Sequence, residues 1–282
     1  MQETPTVGFI SPPAWLDPSP SEFPTVVEEE ARTQQAPLLL PEFDYRLESI
    51  ASVQRELSLC ARSLKAMGCH VAAQVGSPFA WAGAAGEEEA RARAQAMAES
   101  AGLPVVMTGL AIIDGLRLLG VKRVAVNCTY YESRWRDAFA SFLRLCGFDT
   151  VHVSTLADQG LAPSRSRMED YGWSMTRELA RRSILAVAEA SPEAEAIVVT
   201  GSGTRTLKIL APLESELQRP IVAADTVLYR MIARELSLTL KPVMGSCAIS
   251  GSLDAQRRTR IERDRDRACL CADSIPGNHP IR

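Results

Sequence analysis

The chain has 282 residues, of which 46% are hydrophobic and 23% are charged. That length supports one large domain or two small ones, with a hydrophobic core that needs no disulfide or metal ion for stability. The net charge of -3 argues against a dedicated nucleic-acid-binding protein, because such domains are usually strongly basic.

The most apolar stretch, Leu103 to Leu119, is interrupted by Pro104, Asp114 and Arg117. A membrane-spanning helix needs about 20 mostly apolar residues, so none is predicted here. The N-terminal residues lack a basic segment followed by an apolar run, and a signal peptide is therefore not expected. These features favour a cytoplasmic protein with no membrane partner.

The cysteine and histidine pattern gives no support for a metal site. The three histidines are far apart in the sequence, and no C-x-x-C spacing occurs. The weak pair Cys269-x-Cys271 is interpreted as part of a tail rather than as metal ligands. The odd number of cysteines, seven, favours reduced thiols over a disulfide framework. They stand at Cys60, Cys69, Cys128, Cys146, Cys247, Cys269 and Cys271.

Short apolar runs alternate with helical patterns along the chain. In the first part, strands are predicted at 6–10, 69–75 and 104–107, and helices at 43–67, 87–100 and 110–119. A Pro-rich, acidic loop follows the first strand. In the second part, strands are predicted at 123–128, 148–153, 196–200 and 221–223. The helices there are predicted at 132–146, about 170–190 and 226–236.

The order of elements repeats, with offsets of 117, 125 or 126, and 116 residues between matching strands. Alternating strands and helices imply parallel sheets built from right-handed βαβ units. We therefore predict an α/β fold of two Rossmann-like parallel-sheet halves, related by a pseudo-two-fold axis, with the active site in the cleft between them. The first half is expected to span 5–117 plus 225–250, and the second 118–224.

Residues 251–282 are expected to form a flexible or helical C-terminal tail. Its stretch 257–267 holds six Arg and three acidic residues. A contact with a polyanion and a solvated helix both explain this composition, and the solvated helix is favoured.

Four predicted strand ends carry residues suited to ligand binding, because ligands of open α/β sheets bind at the carboxyl ends of strands. Glycine and serine after a strand leave backbone N–H groups and a hydroxyl available to a carboxylate or phosphate. We predict that Pro12, Pro13, Gly76, Pro78, Gly201, Ser202 and Gly203 bind the substrate, beside Ser77 and Tyr130.

The combination of motifs resembles the arylmalonate decarboxylase and maleate isomerase family of the aspartate/glutamate racemase superfamily. The resemblance runs from about residue 5 to residue 240. It rests on Thr6-Val-Gly-Phe-Ile-Ser-Pro-Pro-Ala, Val75-Gly-Ser, Gly115-Leu-Arg-Leu-Leu-Gly-Val-Lys-Arg-Val-Ala, Tyr130 and Ala196-Ile-Val-Val-Thr-Gly-Ser-Gly.

The resemblance implies an enzyme that acts on small carboxylates without a cofactor, through an enolate-like intermediate or a thiolate addition. Racemases and isomerases of the superfamily place one Cys after a strand in each half, and the decarboxylase keeps only the second. This chain has Gly76 and Gly201 at those two positions. Ser77 stands where the decarboxylase has Thr, Tyr130 matches its Tyr, and Pro78 replaces a Ser.

Two residues are candidates to replace the missing thiol as acid or base. Cys128 lies two residues before Tyr130, and alternation along a strand would turn both toward the cleft. A buried Cys at the strand end is the favoured alternative. Asp225 ends a strand and would serve as a base if burial raised its pKa, or equally as a helix N-cap. Arg205 is interpreted as a solvated charge in preference to a carboxylate ligand.

The sequence thus favours a lyase that decarboxylates or eliminates from a small carboxylate held in an oxyanion hole. Catalytic roles are assigned to Tyr130, Ser77, Cys128 and Asp225. A hydrolase or hydratase that uses water in the same pocket, and a non-catalytic binder of small molecules, remain alternatives. No metal or organic cofactor is expected, and a homo-oligomer is left open.

Overall fold

The computed structural model describes residues 3–13, 15–40, 42–162 and 175–246. Within them the chain forms two four-stranded parallel sheets. The first sheet contains β1 (Thr6–Ser11), β2 (Arg32–Pro37), β3 (Val71–Gln74) and β4 (Val105–Met107), in the order β2-β1-β3-β4. The second contains β5 (Arg123–Asn127), β6 (Asp149–Ser154), β7 (Ala196–Val199) and β8 (Ile221–Ala223), in the order β6-β5-β7-β8.

Helices connect and cover the strands of both sheets. Those before β5 are α1 (Ser19–Val26), α2 (Leu47–Ser52), α3 (Gln54–Ala66), α4 (Pro78–Trp81), α5 (Glu87–Ala101) and α6 (Thr108–Leu119). Those after β5 are α7 (Ser133–Leu145), α8 (Arg177–Glu189), α9 (Leu210–Leu217) and α10 (Ala224–Leu236), followed by a short 3-10 turn at Pro242–Met244.

The strand pairing shows the internal repeat directly. Val7 lies opposite Val71 in the first sheet, and Val124 lies opposite Ala196 in the second. The matching positions are separated by 117 and 125 residues, the offsets predicted from the sequence. The α/β prediction of two parallel-sheet halves is confirmed, and the shared strand order makes the central strands β3 and β7 counterparts.

The central strands are buried along their whole length, as parallel strands covered on both faces must be. Every residue of Val71–Gln74 and of Ala196–Val199 is buried. One hydrophobic cluster contains side chains from both halves, including Trp81 of α4 and Phe139 of α7, whose ring centroids lie 5.6 Å apart. The two sheets therefore share a core, which fixes the strand ends of one half near those of the other.

Several elements differ from the sequence prediction. Strand β2 and helix α1 replace the predicted Pro-rich loop; β2 reads RTQQAP, a polar edge strand without the apolar pattern of a central one. The predicted helix 43–67 begins at Leu47 and is broken at Val53. Helices α4 and α9 were not predicted, and α8 begins at Arg177, later than expected.

The domain boundaries 5–117 plus 225–250 and 118–224 stay a prediction, although the strands of each sheet fall within one range. Helix α10 packs against β3, β4 and α6 of the first half and against β8. The tail 251–282, with Cys269 and Cys271, lies outside the described residues. None of the helices described is long and apolar enough to cross a membrane.

Candidate active site

A narrow cavity lies at the carboxyl ends of the strands, where both halves contribute side chains. With a free volume of about 30 Å³ it has room for one or two water molecules. Its walls are largely aromatic. The lining residues are Pro12, Trp15, Tyr45, Gly76, Pro78, Phe79, Tyr130, Tyr131, Trp135, Gly201 and Ser202.

Two glycines at equivalent strand ends shape the floor of this cavity. Gly76 follows β3 with a φ of 101°, and Gly201 follows β7 with a φ of 89°. Residues with a side chain rarely adopt a positive φ, so glycine avoids backbone strain at both turns. A Cβ at position 201 would lie 2.8 Å from Cζ of Tyr130 and 2.7 Å from Oγ1 of Thr129. The Tyr130 ring therefore occupies the space beside Gly201 that a side chain there would need.

A hydrogen bond joins the two halves at the cavity. The hydroxyls of Ser77 and Tyr131 lie 2.7 Å apart, and both side chains are buried. The sequence predicts that Ser77 and Tyr130 lie together, whereas the hydroxyl beside Ser77 belongs to the next residue, Tyr131. Sequence reasoning missed Tyr131, and the only available signal was a second tyrosine immediately after the first.

Tyr130 makes a different contact. Its hydroxyl accepts a hydrogen bond of 3.0 Å from the backbone N–H of Gly203, in the loop that follows β7. Burial raises the pKa of Tyr130 and of Tyr131 well above the usual value for a phenol. Both hydroxyls therefore stay protonated across the physiological range, as hydrogen-bond donors to an anion must.

Cys128 does not line the cavity. It is fully buried in the core cluster, and burial raises the pKa of its thiol well above the usual value. The predicted alternation with Tyr130 fails because β5 ends at Asn127 and Thr129 adopts a φ of 48°. The chain turns between the two residues, which corrects the expectation that both face the cleft.

Asp225 is also outside the cavity lining. Its carboxylate accepts hydrogen bonds from the N–H of Thr206 at 2.7 Å, the hydroxyl of Thr206 at 2.6 Å and the N–H of Thr226 at 2.9 Å. It lies in the first turn of α10, whose N-cap is Ala223. Asp225 thus anchors the loop after β7 to α10, and the structure places it neither as a base in the cavity nor as the N-cap.

Most of the predicted substrate-binding residues do line the cavity, namely Pro12, Gly76, Pro78, Gly201 and Ser202. Pro13 and Gly203 do not line the cavity, but each is hydrogen-bonded to a residue that does. The Pro13 carbonyl accepts a hydrogen bond from the Tyr45 hydroxyl, and Gly203 N–H donates to Tyr130. The Ser202 hydroxyl is buried without a hydrogen-bond partner among the described residues, so it remains available to a bound molecule.

The aromatic wall was not predicted. Trp135 packs edge-to-face on Tyr131 with ring centroids 5.0 Å apart, and Phe79 stacks on Phe43 at 6.4 Å. Trp15 and Tyr45 reach the cavity from loops whose positions no periodic pattern reveals. The wall excludes water from the hydroxyls behind it, which strengthens their interaction with a bound charge.

Behind the loop that follows β7 lies a buried group of charged and phenolic side chains, the Arg205 cluster: Asp17, Glu22, Arg205 and Tyr229. Arg205 is 15% exposed, which corrects its interpretation as a solvated charge. Its Nη1 donates to the carbonyl of Ser202 at 3.1 Å, and its Nη2 donates to Glu22 and Tyr229. Arg205 therefore braces a residue of the cavity wall.

Metal ligands are not grouped in the part of the chain that the structure describes: no three His, Cys, Asp or Glu side chains lie together there.

The arylmalonate decarboxylase family model matches residues 7–245. The arylmalonate decarboxylase of Bordetella bronchiseptica is 27% identical over 233 residues, which cover 79% of this chain and 86% of that protein.

Two solved structures are similar in fold. A crystal structure of arylmalonate decarboxylase has a TM-score of 0.68 at 21% identity, with 87% of this chain and 100% of that chain covered. The maleate isomerase Iso from Pseudomonas putida S16 has a TM-score of 0.74 at 17% identity, with 87% and 98% covered. The resemblance inferred from the sequence is confirmed. The chain belongs to the arylmalonate decarboxylase family and is an enzyme.

Proposed function

We propose that the protein is a lyase that acts on a small carboxylate without a cofactor, most directly by decarboxylation through an enolate-like intermediate. The single observation that carries the proposal is the Tyr131 hydroxyl, which lies in an aromatic cavity beside the Gly76 turn and is hydrogen-bonded, at 2.7 Å, to the Ser77 hydroxyl behind the cavity wall. A buried hydroxyl that a second hydroxyl holds in place is the kind of donor that a developing oxyanion requires.

The reaction begins with a substrate carboxylate among the donors of the cavity. The bond between that carboxylate carbon and the adjacent carbon breaks, carbon dioxide leaves, and the bonding electrons form an enolate on a remaining carboxyl or carbonyl group. The hydroxyl of Tyr131, supported by its hydrogen bond to Ser77, holds the enolate oxygen. A proton then adds to the carbon that lost the carboxylate.

The aromatic wall contributes by removing water from the leaving carboxylate. Trp15, Phe79 and Trp135 offer no hydrogen bonds to its oxygens through their ring faces. A carboxylate against such surfaces loses solvation, whereas the neutral carbon dioxide does not need it. The wall thus favours loss of carbon dioxide while the hydroxyls stabilise the charge that remains.

The proton source follows from what the cavity contains. The described residues that line it include no Cys, His, Asp or Glu. Tyr130 is the titratable group beside Gly201, and its hydroxyl accepts from Gly203 N–H, which makes it a stronger donor. We assign proton delivery to Tyr130, with water restoring its proton afterwards.

Turnover of a substrate panel tests the proposal. Phenylmalonate and methylmalonate report decarboxylation by release of carbon dioxide, maleate reports isomerisation, and a cyclic imide reports hydrolysis. Carbon dioxide release by the wild type, lost in Tyr131→Phe, is the expected result. Imide hydrolysis without decarboxylation would replace the proposal with a hydrolase. Stabilisation by phenylmalonate without turnover of any compound would replace it with a binding protein.

A further inference from the structure

We propose that Asp17 is a positioning residue: through Arg205 and the loop at 201–206, it sets how strongly the cavity holds an anion. This inference rests on the proposed function, because it assigns an anion to the cavity. Asp17 itself does not line the cavity, and neither does Arg205.

The first step is the mechanical link from Arg205 to the wall. Arg205 reaches back to the Ser202 carbonyl from three residues further along the same loop. Glu22 from α1 and Tyr229 from α10 hold the other end of its guanidinium. Ser202 lines the cavity, and the adjacent Gly203 donates its N–H to Tyr130. A shift of the guanidinium therefore changes the backbone that supports Tyr130.

The second step concerns the distance between Asp17 and Arg205, which is too long for a hydrogen bond. Oδ1 of Asp17 accepts a 2.6 Å hydrogen bond from the N–H of Ser19 and lies 4.0 Å from Nη1 of Arg205. Oδ2 of Asp17 and Nε of Arg205 are both buried without a hydrogen-bond partner among the described residues. Asp17 and Arg205 thus form a long ion pair, while an acceptor atom of one and a donor atom of the other have no hydrogen bond.

The third step is the charge balance around Arg205. The groups that face it are Glu22 from α1, Asp225 and Tyr229 from α10, and Asp17 from the segment before α1. Burial raises the pKa of the Asp17 carboxyl even though the nearby Arg205 lowers it. When Asp17 is protonated, fewer carboxylates balance the positive charge of Arg205 than when Asp17 is ionised.

The charges of Asp17 and Arg205 also act on the cavity directly. Burial is the main reason that the pKa of Tyr130 is raised; the negative charge of Asp17 adds to the rise and the positive charge of Arg205 opposes it. An ionised Asp17 would therefore disfavour negative charge near Tyr130 and would attract Arg205 away from the Ser202 carbonyl. Both effects weaken anion binding, so the cavity binds anions best while Asp17 is protonated.

The link is testable without a ligand, by the amide resonance of Gly203 in protein labelled with ¹⁵N-glycine. The spectrum is followed from about pH 4 to pH 9, the span in which the pKa of a buried carboxyl falls. We expect the Gly203 resonance to titrate in the wild type and to stay flat in Asp17→Asn. Glu28→Gln removes an exposed charge between α1 and β2, and its Gly203 resonance should titrate like that of the wild type. Asp17→Ser, which keeps an acceptor for Ser19 N–H, stands in if Asp17→Asn does not fold.

A second measurement links the titration to binding, with phenylmalonate as the probe. The ratio of its Kd in the wild type to its Kd in Asp17→Asn should rise about tenfold through the pH range in which Gly203 titrates, because ionisation of the probe itself is common to both proteins and cancels in the ratio. A Gly203 resonance that titrates identically in Asp17→Asn would overturn the role of Asp17. Loss of turnover on every malonate, with the Gly203 titration intact, would overturn the proposed function alone.

Discussion

The hydroxyls of Ser77 and Tyr131 lie 2.7 Å apart. Ser77 follows β3 of the first sheet, and Tyr131 follows β5 of the second. Both are buried, and the Ser77 hydroxyl depends on Tyr131 for its hydrogen bond. The contact couples the assembly of the two halves to the assembly of the site. A double-mutant cycle on these two residues measures how much the contact contributes to stability, independently of turnover.

Tyr131→Phe should lower the free energy of unfolding by about 1–3 kcal/mol, because it leaves the Ser77 hydroxyl buried and unpaired. Adding Ser77→Ala should recover part of that loss, since both polar groups are then gone. Urea unfolding of the four proteins in the cycle measures the coupling. Strictly additive losses would show that the two hydroxyls do not support each other.

Tyr130→Phe should lower kcat by about 10²–10³ and alter KM less, because its hydroxyl acts mainly on charge that develops during the reaction. The matched control is Tyr45→Phe, which removes another hydroxyl at the same cavity, one that donates to the Pro13 carbonyl. Steady-state kinetics on an active malonate compare the two. Near-wild-type kinetics in Tyr130→Phe would mean that the ring serves only as a wall.

Cys128→Ala should retain turnover and lose about 1–2 kcal/mol of stability, because the thiol fills the core and does not reach the cavity. The raised pKa of this thiol also predicts slow alkylation by iodoacetamide in the native protein. Mass spectrometry of the treated protein, with Cys60, which is only partly buried, as the internal comparison, checks this. Loss of turnover with an intact fold would restore Cys128 as a catalytic candidate.

Gly201→Ala should reduce both stability and activity. A left-handed residue with a side chain costs about 1–3 kcal/mol, and here the new methyl group also meets the Tyr130 ring. Gly102→Ala is the matched control, because Gly102 has a φ of 60° with nothing near the added methyl group. Only Gly201→Ala should lower kcat. Equal effects on kcat from both variants would show that Tyr130 tolerates displacement.

Periodicity was sufficient for the central strands and for most of the helices, because parallel strands buried on both faces read as continuous apolar runs. It failed for β2, whose edge position leaves its sequence polar, and for the Pro-rich α1. The strand ends predicted Gly76, Ser77, Gly201 and Tyr130 as neighbours of one cavity, since parallel strands bring their carboxyl ends to one edge.

The parts of the site that sequence reasoning missed depend on loops. One left-handed residue, Thr129, turned Cys128 into the core and placed Tyr131 beside Ser77. Strand alternation carries no information about such a turn. Asp17 and Arg205 come from loops far apart in the sequence, so their proximity had no signal in spacing or composition.

The stability of the protein should depend on Asp17 in a pH-dependent way. Its folded-state pKa is raised above the unfolded value, so the stability that the protonated carboxyl contributes is fully present below the unfolded pKa of about 3.9. That contribution is lost as pH rises through the folded pKa, because the folded state then binds more protons than the unfolded state and must release them. Asp17→Asn cannot titrate and keeps its stability in this window.

The difference in unfolding free energy, wild type minus Asp17→Asn, should therefore fall with rising pH by up to about 1.4 kcal/mol per unit. All other titrating groups are common to both proteins, so their contributions cancel in the difference. Urea unfolding in steps between about pH 4 and pH 8 measures it, with Glu28→Gln as the charge-matched control. A difference that does not change with pH for Asp17→Asn would mean that the carboxyl has the same pKa in the folded and unfolded protein.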